Sequence, residues 1–117
     1  MSRDWLLYLD DLIASAEKIG RLTVGRNLDA LRADEAAYDA VLFNLQVIGE
    51  AVKQFPPERR AMLPDGHRTG PARLRDLIAH HYFAIDPEII WDVATNHVPA
   101  LLAASLRLQL EADTNGD

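Results

Sequence analysis

Two stretches of the chain repeat apolar residues at alternating intervals of four and three positions, and this spacing restricts the fold more than any other feature. Residues at such intervals lie on one side of an α-helix, so each stretch predicts an amphipathic helix with one buried face. No stretch alternates apolar and polar residues as a half-buried strand does. The predicted fold is therefore all-α, an up-and-down bundle of about four main helices plus short helical turns. The two faces consist of Trp5, Leu9, Leu12, Ala16 and Ile19, and of Val41, Leu45, Ile48, Val52 and Phe55.

Residues that begin or end helices predict the boundaries in the first half of the chain. Gly20 is predicted to stop the first helix. Asp34 is predicted to cap the N-terminus of the next long helix, because its carboxylate can accept from a free backbone N–H. Pro56 and Pro57 should end that helix, since proline lacks the N–H that a helix needs. Residues 58–71 are then predicted to be irregular, with one short turn of helix at most.

Two further helices are predicted in the second half. A third helix should begin near Ala72 and contain Leu74, Leu77 and Ile78, which lie outside the residues that the structure describes. Asp86-Pro87-Glu88 predicts the start of the last helix, with an acceptor at the N-cap and proline at the first helical position. Pro99 lies inside this helix and should kink it. Its apolar positions are predicted to be Ile89, Ile90, Val93, Leu101, Leu102 and Leu106.

The composition excludes several classes of protein. A chain of 117 residues suits one domain. The sequence contains no cysteine, which excludes disulfides, a thiol nucleophile and zinc–thiolate sites. No apolar run approaches the roughly 20 residues of a membrane span, and the first residues lack the layout of a signal peptide. We therefore expect a cytoplasmic protein that does not span a membrane.

The charge is unevenly distributed along the chain. The net charge is −6, but the window 59–82 holds five arginines against two aspartates, so it carries +3 and the rest carries −9. Three of the four histidines also fall in this window. Two interpretations stay open: a solvated basic stretch, or an anion-binding site on an otherwise acidic body. The arginines are Arg59, Arg60, Arg68, Arg73 and Arg75, and the histidines are His67, His80 and His81.

Residues 75–83 combine a fixed cation, a titratable base and a phenol. Arginine offers a planar fork of donors to a phosphate, and histidine can exchange a proton near neutral pH. These groups suit phosphate chemistry, although an exposed helix end with mixed polar residues would look the same. Arg75, His80 and Tyr82 stand in the pattern R-x4-H-x-Y.

Two flanking blocks make the pattern specific. Residues 44–51 read N-L-Q-V-I-G-E-A, and residues 82–91 read Y-F-A-I-D-P-E-I-I-W. With R-x4-H-x-Y between them, they resemble the HepT-like family of the HEPN superfamily, small helical toxins of prokaryotic toxin–antitoxin pairs. The resemblance runs from the first helix to about Leu106. It implies one HEPN-type domain over residues 1–111, followed by a polar tail over residues 112–117.

The resemblance also implies an activity and its partners. It implies a metal-independent endoribonuclease that acts as a homodimer, and a nucleotidyltransferase antitoxin of the MntA type, as in type VII-like pairs, with which a larger heteromer could form. Arg75 and His80 would be catalytic, and Tyr82 would accept AMP from the antitoxin, which silences the toxin. Asp76 would support the arginine. His81, which stands where the family commonly has glycine, and Arg73 are candidates for substrate contact.

Helical geometry provides a separate constraint on this site. At 100° per residue, Arg75 and Tyr82 lie about 20° apart around a helix, whereas Arg75 and His80 lie about 140° apart. Either the helix distorts near His80, or the site is assembled across a two-fold axis. In the expected reaction the RNA supplies its own 2′-OH as nucleophile, which excludes DNA as a substrate. The alternatives are a HEPN module that binds a nucleotide or RNA without cutting, and a dimerisation domain with a decayed site.

Three residues outside this segment have predicted structural roles. Asn44 interrupts an apolar stretch, and we expect it to hydrogen-bond the motif helix or a dimer partner rather than take part in catalysis. His97 precedes Pro99 and is expected to cap or pack rather than bind a metal. Trp91 is expected to pack in the core or a dimer interface, with stacking on an RNA base as the less favoured role.

Overall fold

The computed structural model describes residues 4–63 and 86–115, and these residues contain helices and connecting turns but no strands. The all-α prediction is confirmed for this part of the chain. We number the helices in chain order. They are α1 (Asp4–Thr23), α2 (Leu28–Ala33), α3 (Glu35–Gln54), α4 (Pro57–Arg60), α5 (Pro87–Asp92) and α6 (Val98–Asn115), with a π-helical turn (Val93–His97) that joins α5 to α6.

Helices α1 and α3 form the centre of the core, and both predicted faces are confirmed. All ten predicted residues are buried. At one end of this interface the rings of Trp5 and Phe55 meet edge to face, with centroids 5.7 Å apart. Burial of each large side chain contributes about 1.5–3 kcal/mol, so the α1–α3 pair supplies much of the free energy that stabilises the fold.

The first helix continues past Gly20, where the sequence predicted a stop. The helix ends at Thr23, and the Val24 N–H still donates to the Gly20 carbonyl oxygen at 3.0 Å. The Thr23 hydroxyl donates to the Ile19 carbonyl oxygen at 2.9 Å. The chain turns instead at Gly25, whose φ of +73° is a conformation that favours glycine. A glycine inside a helix costs only about 1 kcal/mol relative to alanine, which the buried face of α1 outweighs.

Side-chain caps define the starts of α2 and α3. The Asn27 side chain accepts from the Ala30 N–H at 2.8 Å, and the Asp34 carboxylate accepts from the Ala37 N–H at 3.1 Å. The predicted Asp34 cap is therefore confirmed. The same carboxylate lies 3.3 Å from Arg26. The Ala37 hydrogen bond, together with the smaller effect of Arg26, lowers the pKa of Asp34 below its ordinary value of 3.8.

The last helix begins at the predicted position, and its helical geometry changes close to Pro99, where a kink was predicted. The Asp86 side chain accepts from the Glu88 N–H at 2.9 Å, and Pro87 occupies the first helical position. The predicted distortion at Pro99 takes the form of the π-helical turn, in which the Val98 N–H donates to the Val93 carbonyl oxygen five residues back. Proline at 99 has no N–H to donate, and its ring crowds the carbonyl four residues earlier. The π turn relieves this conflict without breaking the helix.

The buried face of this last helix differs from the predicted one. Ile90 and Leu101 are buried, but Ile89 is 52% exposed and Leu106 is 38% exposed. The prediction was based on large apolar residues, whereas α6 also buries alanines. In addition, the π turn changes which residues of α5 and α6 lie on the same face. The observed core positions are Ile90, Ala94, Val98, Leu101, Ala104, Leu108 and Ala112.

The last helix is more apolar than its packing requires. Within the described residues, Pro87–Thr114 is long and apolar enough to cross a membrane by length and composition alone, although the sequence predicted no span. Core helices meet the same criterion, and the buried positions of α6 pack against α1. Only 33% of its most apolar 18-residue window is buried, and Ile89, Leu106 and Leu110 are exposed.

Candidate functional site

The residues that carry the predicted chemistry lie between the two described parts of the chain. The last described residue before them is Leu63 and the first after them is Asp86. Their roles therefore stay predictions, and the structure describes the elements on either side. The six predicted site residues, all outside the described ranges, are Arg73, Arg75, Asp76, His80, His81 and Tyr82.

Arg60 anchors the chain on the N-terminal side of the candidate site. Its Nη2 donates to the carbonyl oxygen of Phe55 at 3.0 Å and to that of Lys53 at 3.1 Å. Carbonyls at the end of a helix have no partner within the helix, so a guanidinium here satisfies acceptors at the end of α3. Leu63, three residues later, is buried. The chain therefore enters the candidate site from a fixed position.

Arg59 is half-buried and lies over the ring of Trp5, with its guanidinium carbon 4.8 Å from the ring centroid. A cation in this position is attracted by the electron-rich face of the indole. From the sequence, Arg59 and Arg60 could either guide RNA electrostatically or belong to a solvated loop. The structure shows both arginines packed on α1 and α3, where they support the core.

The C-terminal side of the candidate site is fixed by the start of α5. Asp86 caps this helix, and Ile90 is fully buried one turn later. Trp91 is half-buried against the core cluster, which confirms its predicted packing role. Both ends of the segment that contains the predicted catalytic residues are therefore attached to the same hydrophobic core.

A polar network follows on the π-helical turn. The Asp92 carboxylate accepts from the Asn96 side chain at 2.8 Å and lies 3.3 Å from Nε2 of His97. On the other side of the turn, the Thr95 hydroxyl donates to the Trp91 carbonyl oxygen at 2.7 Å. The His97 ring therefore contacts a carboxylate of its own helical turn, and the predicted capping role stays a prediction. Pro99 was the sequence signal for this turn, but nothing in the spacing indicated the Asp92 network.

Asn44 is buried in α3, and its Nδ2 donates to the Ala40 carbonyl oxygen at 2.7 Å. This bond lies within its own helix and supports a structural role. The predicted partner on the motif helix falls on residues that the structure does not describe. Residues 4–63 and 86–115 contain no group of three or more metal-ligating side chains arranged around a common point.

Several surface grooves lie along α1 in the described part of the chain, and two of them lie on opposite sides of it. The α1–α3 groove is lined by Tyr8, Asp11, Phe43, Val47 and Glu50, and encloses about 310 Å³. The larger α1–α6 groove lies on the other side of α1, with a volume of about 540 Å³. Its lining includes Ala16, Glu17, Gly20, Arg21, Val24 and Leu102. Neither groove was predicted from the sequence, because both depend on which helices become neighbours.

Comparison with known proteins identifies the family. The family profile described as "Ribonuclease HepT-like" matches residues 12–108. The chain is 39% identical over 97 residues to "Putative RNase MJ0127" of Methanocaldococcus jannaschii, covering 83% of this chain and 80% of that protein. It is 30% identical over 101 residues to "Probable ribonuclease HepT" of Thermococcus cleftensis, covering 86% of this chain and 92% of that one.

A third relative joins a similar region to another activity. The chain is 30% identical over 115 residues to "Gamma-glutamylcyclotransferase and putative RNase MJ0434" of Methanocaldococcus jannaschii, covering 98% of this chain but 52% of that protein. No solved structure matches the chain. The family profile spans most of the chain and includes the whole segment between the described parts. The chain belongs to the HepT-like ribonuclease family.

Proposed function

We propose that this chain is an endoribonuclease toxin whose cleavage site is formed by residues 75–82. The observation that carries the proposal is the complete R-x4-H-x-Y pattern inside a chain that belongs to a ribonuclease family over residues 12–108. The relatives named as RNases support the activity. The described residues on either side of the segment, Leu63 and Ile90, belong to one hydrophobic core.

In the proposed reaction, RNA supplies the nucleophile. His80 takes the proton from the 2′-OH, and the 2′-oxygen forms a bond to the adjacent phosphorus. The bond from phosphorus to the 5′-oxygen breaks, and that oxygen receives a proton from a second histidine or from the same one. The products are a 2′,3′-cyclic phosphate and a 5′-hydroxyl. Each proton transfer typically contributes ~10²–10⁴-fold to the rate.

Arg75 would stabilise the charge on the five-coordinate phosphate, where a pre-placed cation is most effective. No water has to be activated, so the proposed reaction needs no metal. Because Arg75 and His80 lie about 140° apart on a regular helix, we propose that a homodimer assembles the cleft across its two-fold axis. Asp76 would orient Arg75, and Arg73 and His81 would contact the RNA.

Regulation by a nucleotidyltransferase antitoxin of the MntA type completes the proposal. AMP transferred to the Tyr82 oxygen would place a bulky anion about 20° from Arg75 around the helix. This anion would occupy the arginine and repel incoming phosphate. Inhibition of this kind requires no change in the fold. The RNA and the antitoxin would meet the toxin in the cytoplasm.

The experiment is a cleavage assay on mixed cellular RNA with excess EDTA. We expect the unmodified protein to cut RNA, His80→Ala to abolish cleavage, and Tyr82→Phe to cut in the presence of the antitoxin and ATP. Intact mass should show whole AMP units on the wild type and none on Tyr82→Phe. A substrate with a single 2′-deoxy sugar at the cut position should resist cleavage there.

If the wild type and His80→Ala both leave RNA intact while both still bind the nucleotidyltransferase, the ribonuclease proposal is wrong. A binding module that docks the nucleotidyltransferase would then be the better description. Cleavage that requires a divalent ion would contradict the proposed mechanism but not the activity.

A further inference from the structure

The α1–α6 groove continues along most of the length of α1. A second cavity of about 440 Å³ lies where the start of α1 meets the end of α6, and its lining includes Leu6, Asp10, Gln109 and Asp113. Leu6 and Val24, at the opposite ends, are 18 positions apart, which is five helical turns, so they lie on the same side of α1. The two cavities therefore form the ends of one extended groove, about 27 Å long at 1.5 Å per residue.

The side of α1 that faces the extended groove repeats at intervals of four and three positions. The core face of α1 uses the same intervals, one position earlier in the sequence. On α6, Leu102 and Gln109 line the groove and are seven positions apart, which is the same repeat. A third helix with this repeat can place its side chains between those of α1 and α6 along the whole groove. The residues on this side of α1 are Leu6, Asp10, Ile13, Glu17, Gly20 and Val24.

Apolar side chains along the extended groove are exposed to solvent. Val24 is 74% exposed at one end, and Leu7 is 65% exposed at the other. Ala16 and Gly20 form part of the floor, and a Cβ added to Gly20 would meet no atom within 4 Å. The backbone of another helix can therefore approach α1 closely. Exposed apolar surface that is continuous with a groove is typical of an interaction site.

The rim of the extended groove carries more acidic than basic side chains. Asp10 and Asp113 line one end, and Glu17 lines the other beside one arginine, Arg21. All three carboxylates belong to exposed residues, and none forms an ion pair within residues 4–63 and 86–115. The groove is thus complementary to an occupant that carries positive charge beside an apolar face.

Other occupants fit this pattern of charge less well. In a two-fold contact between copies of the chain centred near Ile13, the Asp10 of each copy would face a Glu17, and like charges that face each other weaken binding. RNA phosphates and anionic lipid headgroups would be repelled by the same carboxylates. A basic partner with helical spacing therefore matches both the charge and the shape of the groove.

We propose that the extended groove binds an amphipathic helix of another protein, with lysine or arginine side chains that meet Asp10, Glu17 and Asp113. Helices that dock in this way bury apolar anchors spaced three, four and seven positions apart. The proposal goes beyond the ribonuclease activity assigned to residues 75–82. It depends neither on that activity nor on a two-fold axis nor on AMP transfer to Tyr82.

The test uses a fluorescein-labelled peptide of about 20 residues, long enough as a helix to span the groove. The probe has leucine at intervals of four and three positions, with lysine on either side. One control peptide has the same composition in an order that spreads leucine around the helix, and a second has glutamate in place of lysine. By fluorescence anisotropy at physiological ionic strength, we expect a micromolar Kd for the probe and binding at least about tenfold weaker for each control.

Two adjacent aspartates provide a matched pair of variants. Asp10 lines the extended groove, Asp11 lines the α1–α3 groove, and both are exposed. Asp10→Lys and Asp11→Lys change the net charge equally, but Asp10→Lys should weaken probe binding about tenfold while Asp11→Lys should leave it nearly unchanged. Glu17→Lys should weaken binding as Asp10→Lys does.

Gly20→Leu tests the close approach of the helix without a change of charge. Leucine favours helix more than glycine does, and the position is open, so Tm should stay the same or rise. The added side chain should nevertheless occupy the floor of the groove and weaken probe binding as strongly as Asp10→Lys does. A normal Tm together with weak binding separates loss of the groove from loss of the fold.

The proposal is wrong if the probe does not bind, or if the control peptide with spread leucines binds as tightly. Equal effects of Asp10→Lys and Asp11→Lys would also contradict it, because they would indicate attraction to the acidic surface in general. Release of single protomers from an assembly by the probe would show instead that a second copy covers the groove. RNA cleavage enters none of these measurements, so their outcome is independent of the proposed function.

Discussion

The guanidinium of Arg60 binds the carbonyl oxygen of Phe55 at 3.0 Å, and this contact joins the end of α3 to the start of the candidate site. Phe55 in turn packs against Trp5. One arginine in a basic stretch therefore connects the core to the segment that carries the predicted chemistry. Its role in the described structure is to hold the backbone.

Arg60→Ala should destabilise the protein by about 1.5–3 kcal/mol, because hydrogen bonds to charged donors are lost and two helix-end carbonyls lose their partner. Urea denaturation measures the change. Arg60→Lys keeps the charge but not the two-acceptor geometry and should recover only part of the loss. An Arg60→Ala protein with wild-type stability and a raised KM for RNA would instead show that Arg60 contacts substrate.

Ser105→Ala should leave stability unchanged or raise it by up to about 1 kcal/mol. Ser105 is fully buried, and within residues 4–63 and 86–115 its hydroxyl has no hydrogen-bond partner. A buried hydroxyl without a partner costs free energy that alanine avoids. The matched control is Ala104→Ser, which adds a hydroxyl at the neighbouring buried position and should destabilise. A clear loss of stability in Ser105→Ala would contradict the observed environment of the hydroxyl.

At acid pH, the free energy of unfolding should depend less on pH in Asp34→Asn than in the wild type. The folded state lowers the pKa of Asp34, so the folded state favours its ionised form. This contribution is complete above the unfolded pKa, about 4, and is lost as the pH falls through the lower folded value. Thermal melts between pH 6 and pH 2 should show a steeper loss for the wild type than for Asp34→Asn. Asparagine retains the cap, so helix α3 stays intact in the control.

Ile90→Ala should cost about 2–5 kcal/mol, whereas Ile89→Ala should cost well under half of that. The two residues are adjacent and chemically identical, but Ile90 is fully buried and Ile89 is 52% exposed. Leu101→Ala and Leu106→Ala form a second matched pair with the same expectation. Equal losses within each pair would show that the last helix is rotated relative to the structure described above.

The sequence predicted α1 and α3 well, because their buried faces consist of large apolar residues with regular spacing. Trp5, Leu12, Val41 and Ile48 needed no knowledge of their neighbours to be recognised as core. The caps at Asp34 and Asp86 were also predicted, since a cap depends only on its own few residues.

The last helix shows where such reasoning fails. Its core positions include Ala94, Ala104 and Ala112, whose small size suits close packing but gives a weak periodic signal. The prediction relied on the larger leucines, but one of those it chose, Leu106, is exposed. The grooves beside α1 could not be predicted either, because they arise from the packing of α1, α3 and α6. The predicted catalytic residues rest on sequence and family membership.

The π-helical turn has a consequence for how relatives of this chain should be compared. A π turn accommodates one residue more than the same length of α-helix, so it is equivalent to a single insertion within an otherwise continuous helix. Relatives that lack the extra residue between Val93 and His97 would keep the buried face of α6 only with a one-residue gap at that point. The turn is thus the place in the last helix where a difference of one residue between relatives can be accommodated without moving the buried face of α6.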